Sequence, residues 1–283
     1  MKIAKTVALL ALGCIMLIAV SVAQAVQIGP DPTSTILNGD GPFAVTSASV
    51  PSSVTGFGGG MIYYPTTAGS YGVIAACPGF TNTYSAISWF ARRLATHGFV
   101  TIAMNTNSTF DFPPSRATQL RAALNYMVNS SSSTIRARID ATRRGVAGYS
   151  MGGGGTIIAS SQDSTLKVGI SLCPWSSTKS FSTMRVPQLI MGSDNDSVAP
   201  VASHARAFYN SIPVTTKKAY ALNNNATHST PTSTDQRIGR YGAAFAKQFV
   251  DVDTRYTPFL CGAEHTTYAT AARFDTYLSN CPY

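Results

Sequence analysis

The stretch Gly145-Val146-Ala147-Gly148-Tyr149-Ser150-Met151-Gly152-Gly153-Gly154-Gly155 holds the pattern G-x-S-x-G between Gly148 and Gly152. Residues 144–148 read as a short buried strand, and residues 156–160 continue as an apolar, helix-compatible run. A serine between the two sits on a sharp strand-to-helix turn, where flanking glycines let backbone pass close by. A serine hydroxyl is a poor nucleophile until a base in hydrogen-bond reach activates it. The competing reading is a glycine-rich loop with an incidental serine. It asks nothing of the rest of the chain, whereas a nucleophile requires an acid and a base in a definite order.

On a sheet covered by helices, a nucleophile elbow of this kind is followed by Asp or Glu and then by His. Four histidines are available: His97, His204, His228 and His265. His97 precedes Ser150. His204 falls in a helical stretch, where packing is its expected role. His265 lies between two C-terminal cysteines and reads as part of a stapled surface loop. His228 follows the last expected strand and is the candidate base. The acid belongs at the end of the strand before it, where residues 188–192 run into Ser193-Asp194-Asn195-Asp196-Ser197-Val198-Ala199-Pro200. Asp196 precedes a small apolar run that can bury its carboxylate, and Asp194 is the alternative. Either would fix the imidazole tautomer and stabilise the imidazolium.

The tetrahedral species formed on such a serine needs N–H donors aimed at its oxygen, each worth about 2.7–4 kcal/mol. The N–H of Met151, directly after the serine, supplies one. The turn Cys77-Pro78-Gly79-Phe80-Thr81 offers a second at Phe80. Phe80, Tyr149 and Trp175 fall near strand ends and together read as the walls of an aromatic cleft.

Strand-like and helix-like runs alternate along the chain. Strands are expected at 43–50, 60–65, 72–77, 99–104, 144–148, 166–172, 188–192 and 218–222. Helices are expected at 87–97, 116–129, 156–160, 199–210 and 239–250. This alternation predicts one α/β domain: a mostly parallel twisted sheet with helices on both faces.

Bulk composition narrows the function classes. The chain has 283 residues and a formal charge of +9, with only 12% charged residues and Glu264 as its one glutamate. Its basic residues are scattered and not interleaved with stacking aromatics, which argues against a nucleic-acid binder. Residues 1–25 read as a removable export leader: a basic start, an apolar run too short for a membrane span, and Ala23-Gln24-Ala25 as the cleavage site. Cys14 lies inside that apolar run, not at its end where a lipid-anchored cysteine would sit. The mature protein, 26–283, would be secreted, with no membrane span; a monomer is expected. Cys261 and Cys281 would pair in an oxidising compartment and staple the C-terminus. Cys77 and Cys173 read as buried small hydrophobes, a bridge between them being the alternative. No cysteine or histidine spacing points to zinc, and no cofactor is expected.

With these residues in view, the chain resembles the bacterial cutinase-like polyester hydrolases, including the poly(ethylene terephthalate)-degrading enzymes. The likeness rests on residues 45–64, Pro78-Gly79-Phe80, Asn105-Thr106-Asn107-Ser108-Thr109, the Ser150 stretch, Pro174-Trp175, residues 195–200, Thr227-His228 and Asp253-Thr254-Arg255-Tyr256. It implies a single α/β-hydrolase domain with no lid and an open groove above the triad. It implies Ser150, Asp196 and His228 as triad, and Phe80 and Met151 as oxyanion hole. Phe80, Tyr149, Met151, Trp175 and Val198 would line the acyl site of an esterase for polymeric or insoluble esters. A triacylglycerol lipase or general carboxylesterase would use the same machinery, and a non-catalytic binding protein could share the scaffold.

Three departures from the resemblance stand out. Tyr149 occupies a position that is tryptophan or histidine in the most studied polyester degraders. Ser193 and Thr230 stand where some members carry a second disulfide. Asp194 and Asp275 match two of three acidic calcium positions, but Asn224 replaces the third. His204 and Phe208 follow the cutinase pattern, in which bulky neighbours restrain the substrate-facing tryptophan, here Trp175.

Overall fold

The structure is a computed structural model that describes residues 25–283. All but the last residue of the expected leader lies outside the described residues. The strands are β1 (Val45–Val50), β2 (Gly60–Pro65), β3 (Tyr71–Cys77), β4 (Phe99–Met104), β5 (Ile139–Tyr149), β6 (Val168–Leu172), β7 (Gln188–Asn195), β8 (Lys218–Thr227) and β9 (Phe274–Ser279). They form one sheet in the order β1-β2-β4-β3-β5-β6-β7-β8-β9. Pairing is parallel from β4 through β8, and antiparallel where β1, β2 and β9 close the edges. The helices are α1 (Ser34–Asn38), α2 (Ser85–Thr96), α3 (Pro113–Asn129), α4 (Ser133–Arg136), α5 (Met151–Gln162), α6 (Ala205–Ser211), α7 (Gln236–Val250), α8 (Pro258–Cys261) and α9 (Ala263–Tyr268).

The central strands are apolar on both faces, as a parallel sheet between two helical layers requires. Strand β3 shows how. Ile74 and Ala76 join one core with Phe90 and Leu94 of α2 and Tyr241 and Phe245 of α7. Val73, Ala75 and Cys77 join the other with Leu120 and Leu124 of α3 and Ile157 of α5. The period of two in β3 thus sends alternate residues into two separate cores. Helix α7 is started by Asp235, whose carboxylate accepts from the N–H groups of Arg237 and Ile238.

Topology positions the site. From β3 the chain crosses to β4 on one side, and from β5 it crosses to β6 on the other. The loops leaving β3 and β5 therefore diverge, and such a switch point opens a crevice at the carboxyl ends of the strands. Gly79-Phe80 lie on one side of that crevice and Ser150 on the other.

Several elements differ from the sequence expectation. Strand β5 begins at Ile139, five residues earlier than expected, and β8 runs on to Thr227. Strand β8 is not the last: β9 pairs with it antiparallel. The helix expected at 199–210 divides into a 3₁₀ turn, Val201–Ser203, and α6. His265 is not in a surface loop. It sits in α9 with its Nδ1 2.7 Å from the Tyr241 hydroxyl and its ring against Tyr277. Cys261 and Cys281 are bridged, whereas Cys77 and Cys173 are free and buried. Burial pushes their thiols up to about 11 and about 12, so both stay protonated and behave as apolar groups.

Candidate active site

Ser150 links β5 to α5 with φ 55° and ψ −120°. A non-glycine residue with positive φ is strained, and such strain gathers at functional sites. The surrounding glycines make the turn sterically feasible. A Cβ on Gly152 would lie 2.2 Å from the carbonyl oxygen of Cys77, and one on Gly154 would lie 2.0 Å from that of Trp175. Gly152 therefore lets the loop after β3 close over the start of α5, and Gly154 does the same for the loop after β6. The Trp175 N–H donates to the Ser150 carbonyl at 2.9 Å. Three strand-end loops are thus drawn together around one serine.

The Ser150 Oγ lies 2.8 Å from His228 Nε2, and His228 Nδ1 lies 2.8 Å from Asp196 Oδ2. Strand pairing explains the placement. Asn195 at the end of β7 is in register with Thr227 at the end of β8. The next residue on each strand is Asp196 and His228, so the sheet delivers carboxylate and imidazole side by side. The other oxygen of Asp196 accepts from the N–H groups of Val198 at 3.0 Å and Ala199 at 2.7 Å. The Asp196 side chain is 1% exposed and that of His228 is 13% exposed. Asp194, the alternative acid, is turned elsewhere: its carboxylate accepts from the N–H groups of Asn225 and Ala226.

The Met151 N–H opens α5, where the helix dipole favours negative charge. The Phe80 N–H lies across the crevice, on a loop whose Gly79 would bring a Cβ within 3.1 Å of the Ser150 Cβ. Among the described residues, neither N–H has a protein acceptor. A hydroxyl, an imidazole and a buried carboxylate in line, with free N–H donors beside the hydroxyl, can carry acyl transfer.

The expected acyl-site residues fall into two groups. Phe80 is 39% exposed and Val198 is 58% exposed. Trp175 stacks on the His204 ring at 5.9 Å, and His204 in turn meets Phe208 edge-on at 5.9 Å. That buttress restrains Trp175 as expected, and burial and the nearby Lys179 charge lower the His204 pKa. Tyr149 is different. It is the last residue of β5, not a loop residue, and is only 5% exposed. Its ring lies 5.3 Å from the His228 ring, tilted 45° to it. Two further rings that the sequence reading does not single out, Phe110 and Phe112, are 63% and 58% exposed and lie beside Phe80. Their signal was two phenylalanines in a loop ahead of Pro113-Pro114, where burial is hard to arrange.

A strand-to-helix serine, its histidine and aspartate on successive strand ends, and a parallel sheet between two helical layers define an α/β-hydrolase. Comparison with known sequences makes the class narrower. The chain belongs to the PET hydrolase-like family, whose sequence model matches residues 20–282. It is 50% identical over 263 residues to "Cutinase est1" of Thermobifida alba, covering 92% of this chain and 88% of that protein. It is 47% identical to "Cutinase 1" of Thermobifida cellulosilytica, covering 92% of this chain and all of that one. A "Bis(hydroxyethyl) terephthalate hydrolase" of Streptomyces coelicolor is 44% identical over 259 residues, 90% of this chain and 82% of that protein.

Proposed function

We propose that the protein is a serine esterase of the cutinase type. Its substrates are polymeric or insoluble esters, among them cutin and aliphatic and aromatic polyesters such as poly(ethylene terephthalate), together with short soluble esters. The observation that carries this is the hydrogen-bonded line from Ser150 through His228 to Asp196, with 2.8 Å at each step. The cutinase and bis(hydroxyethyl) terephthalate hydrolase relatives supply the substrate class.

Ser150 is the nucleophile. His228 takes the Ser150 proton as Oγ attacks the ester carbonyl, and Asp196 stabilises the imidazolium that forms. The oxyanion is received by the N–H groups of Phe80 and Met151. As the tetrahedral species collapses, the ester C–O bond breaks and His228 protonates the leaving alcohol. Water then attacks the acyl-enzyme, giving up its proton to His228, and the acid is released as Ser150 regains its hydrogen. Phe80, Met151, Trp175 and Val198 line the acyl side, and the Tyr149 ring lies beside the imidazole.

Residues 1–25 act as an export leader, and the Cys261–Cys281 bridge suits an oxidising compartment. No helix among the described residues is long and apolar enough to cross a membrane. Phe80, Phe110, Phe112 and Val198 stand exposed around Ser150, which favours a flat, solid substrate over a single lipid chain held in a tunnel. The test is release of acid from a polyester film against release from a long-chain triacylglycerol emulsion. Film hydrolysis is expected to dominate; negligible release from the film would sink the polyesterase reading in favour of a lipase.

A further inference from the structure

Strand β8 does not run straight to His228. Ser193 of β7 is in register with Asn223, and Asn195 is in register with Thr227. A step of two residues on β7 is thus matched by a step of four on β8, and the excess is a bulge at Asn224-Asn225-Ala226. Continued without the shift, the register would set Ala226 beside Asp196. The bulge brings His228 there instead. Bulges re-aim side chains in this way and gather next to active sites.

A bulge leaves backbone groups off the ladder, and these must find other partners. Asn225 takes the left-handed conformation with φ 50°, which asparagine tolerates better than most residues. Its N–H and that of Ala226 meet one carboxylate: Asp194 Oδ2 accepts from Asn225 at 2.9 Å, and Asp194 Oδ1 accepts from Ala226 at 2.8 Å. Burial raises the Asp194 carboxyl, but backbone N–H groups, led by those of Ala226 and Asn225, outweigh it and hold the group below its ordinary value. Around the same bulge, Arg237 Nη1 donates to the Asn224 carbonyl at 2.6 Å, and the Thr227 N–H donates to Thr230 Oγ1 at 2.9 Å. Asp194 differs from these ties in standing on β7, two residues before Asp196. It therefore links the strand that carries the acid to the bulge that aims the base.

We infer that Asp194 is a positioning residue for the triad: by holding the N–H groups of Asn225 and Ala226 it fixes the bulge in β8 and keeps His228 in line between Asp196 and Ser150. The inference rests on the esterase reading above. Asp194 acts through backbone and has no hydrogen bond to any triad side chain. A misplacement of about 1 Å at reacting groups can cost about 100-fold in rate. The acyl side is lined by other residues, so the loss falls on kcat and leaves KM.

The test measures kcat and KM for p-nitrophenyl butyrate with the purified protein, with EDTA present throughout so that hydrogen bonds alone are read. Asp194→Ala removes both acceptors, and kcat is expected to fall by roughly 10- to 100-fold with KM within about 2-fold. The same substitution made in Asp196→Asn, where the acid–base pair is already broken, should lower kcat by less than about 3-fold. A loss that came only from partial unfolding would be equal in the two backgrounds. Asp194→Asn keeps one acceptor oxygen and should fall between wild type and Asp194→Ala; it serves in place of the alanine variant should that one fail to fold. A kcat within about 2-fold of wild type in the folded variant, or an undiminished loss in the Asp196→Asn background, overturns the inference. Wild-type protein inactive on the ester would defeat the esterase reading and the inference together; an active wild type with kcat unmoved by the substitution defeats the inference alone.

Discussion

Asp251 at the end of α7 is the residue whose loss the fold should feel most among its charged groups. Its carboxylate is fully buried and takes Arg143 Nη1 at 2.5 Å and Lys247 Nζ at 2.5 Å. Its carbonyl accepts from the Val26 N–H at 2.8 Å, so the same residue also ties down the backbone ahead of α1. Burial pushes the Asp251 carboxyl up and the Lys247 ammonium down; the charges persist because they face one another. Asp251→Asn leaves the two cations unequally placed. Arg143 keeps Asp140 at 2.9 Å and the Ser70 carbonyl. Lys247, with no exposure, keeps only the Ile28 carbonyl at 3.1 Å and pairs with no other carboxylate among the described residues. Stranding a buried charge costs about 3–5 kcal/mol. At 2–4 °C per kcal/mol for a domain of this size, melting should fall by about 6–20 °C. Thermal unfolding followed by circular dichroism at pH 7 reads this directly. The double variant Lys247→Met/Asp251→Leu removes both charges and should recover most of the loss, since buried pairs replaced by apolar groups are often neutral. A single variant costing under about 1 kcal/mol, or a double variant as damaged as the single, would refute this reasoning.

Three further outcomes follow from other parts of the molecule. His97, buried at the C-terminal end of α2, has its pKa pushed down to about 3, by burial first and then by the Arg93 charge. The unfolded chain binds this proton below about 6.5 while the folded chain does not until about 3, so stability present above pH 6.5 drains as pH falls. Between pH 7 and pH 5 that is about 2 kcal/mol, and His97→Gln should show a correspondingly smaller acid loss in denaturant titrations. The Cys261–Cys281 bridge closes a loop with a sequence separation of 20; the chain-entropy relation gives about 3 kcal/mol, so the Cys261→Ser/Cys281→Ser variant should melt about 6–12 °C lower. Asp196→Asn keeps the shape but no longer fixes the His228 tautomer, and kcat on a soluble ester should fall by about 10⁴-fold with little change in melting temperature.

Much of the site could be read from the sequence because chain order constrained it. The elbow named Ser150, and the required order of acid then base removed His97 and favoured Asp196 and His228. What stayed hidden depended on partners distant in sequence. Asn223-Asn224-Asn225 reads as a loop, since asparagine is depleted in strands. Yet β8 runs through it, because β7 and β9 flank that backbone on both sides. Strand β9, Phe274–Ser279, is short and half exposed, so no apolar run announced it. The first half of β5 is masked by Asp140, Arg143 and Arg144, whose charged side chains find partners within the same stretch, on Asp140 and the Ala141 carbonyl. Lys247 and Asp251 stand at helical i, i+4 spacing and look like a solvated pair; only packing shows both to be buried. The place of Phe110 and Phe112 beside Phe80 depends on Arg116, which donates to the carbonyls of Thr109, Asp111 and Pro78.

The account stands or falls on Ser150 as the group that becomes acylated. Incubation with a p-nitrophenyl alkylphosphonate, followed by intact-mass and peptide mass spectrometry, examines this without any assumption about the natural ester. One adduct per chain is expected, on the peptide bearing Ser150, formed in step with loss of esterase activity and absent from folded Ser150→Ala. An adduct on another residue, or ester hydrolysis that survives in Ser150→Ala, would contradict it.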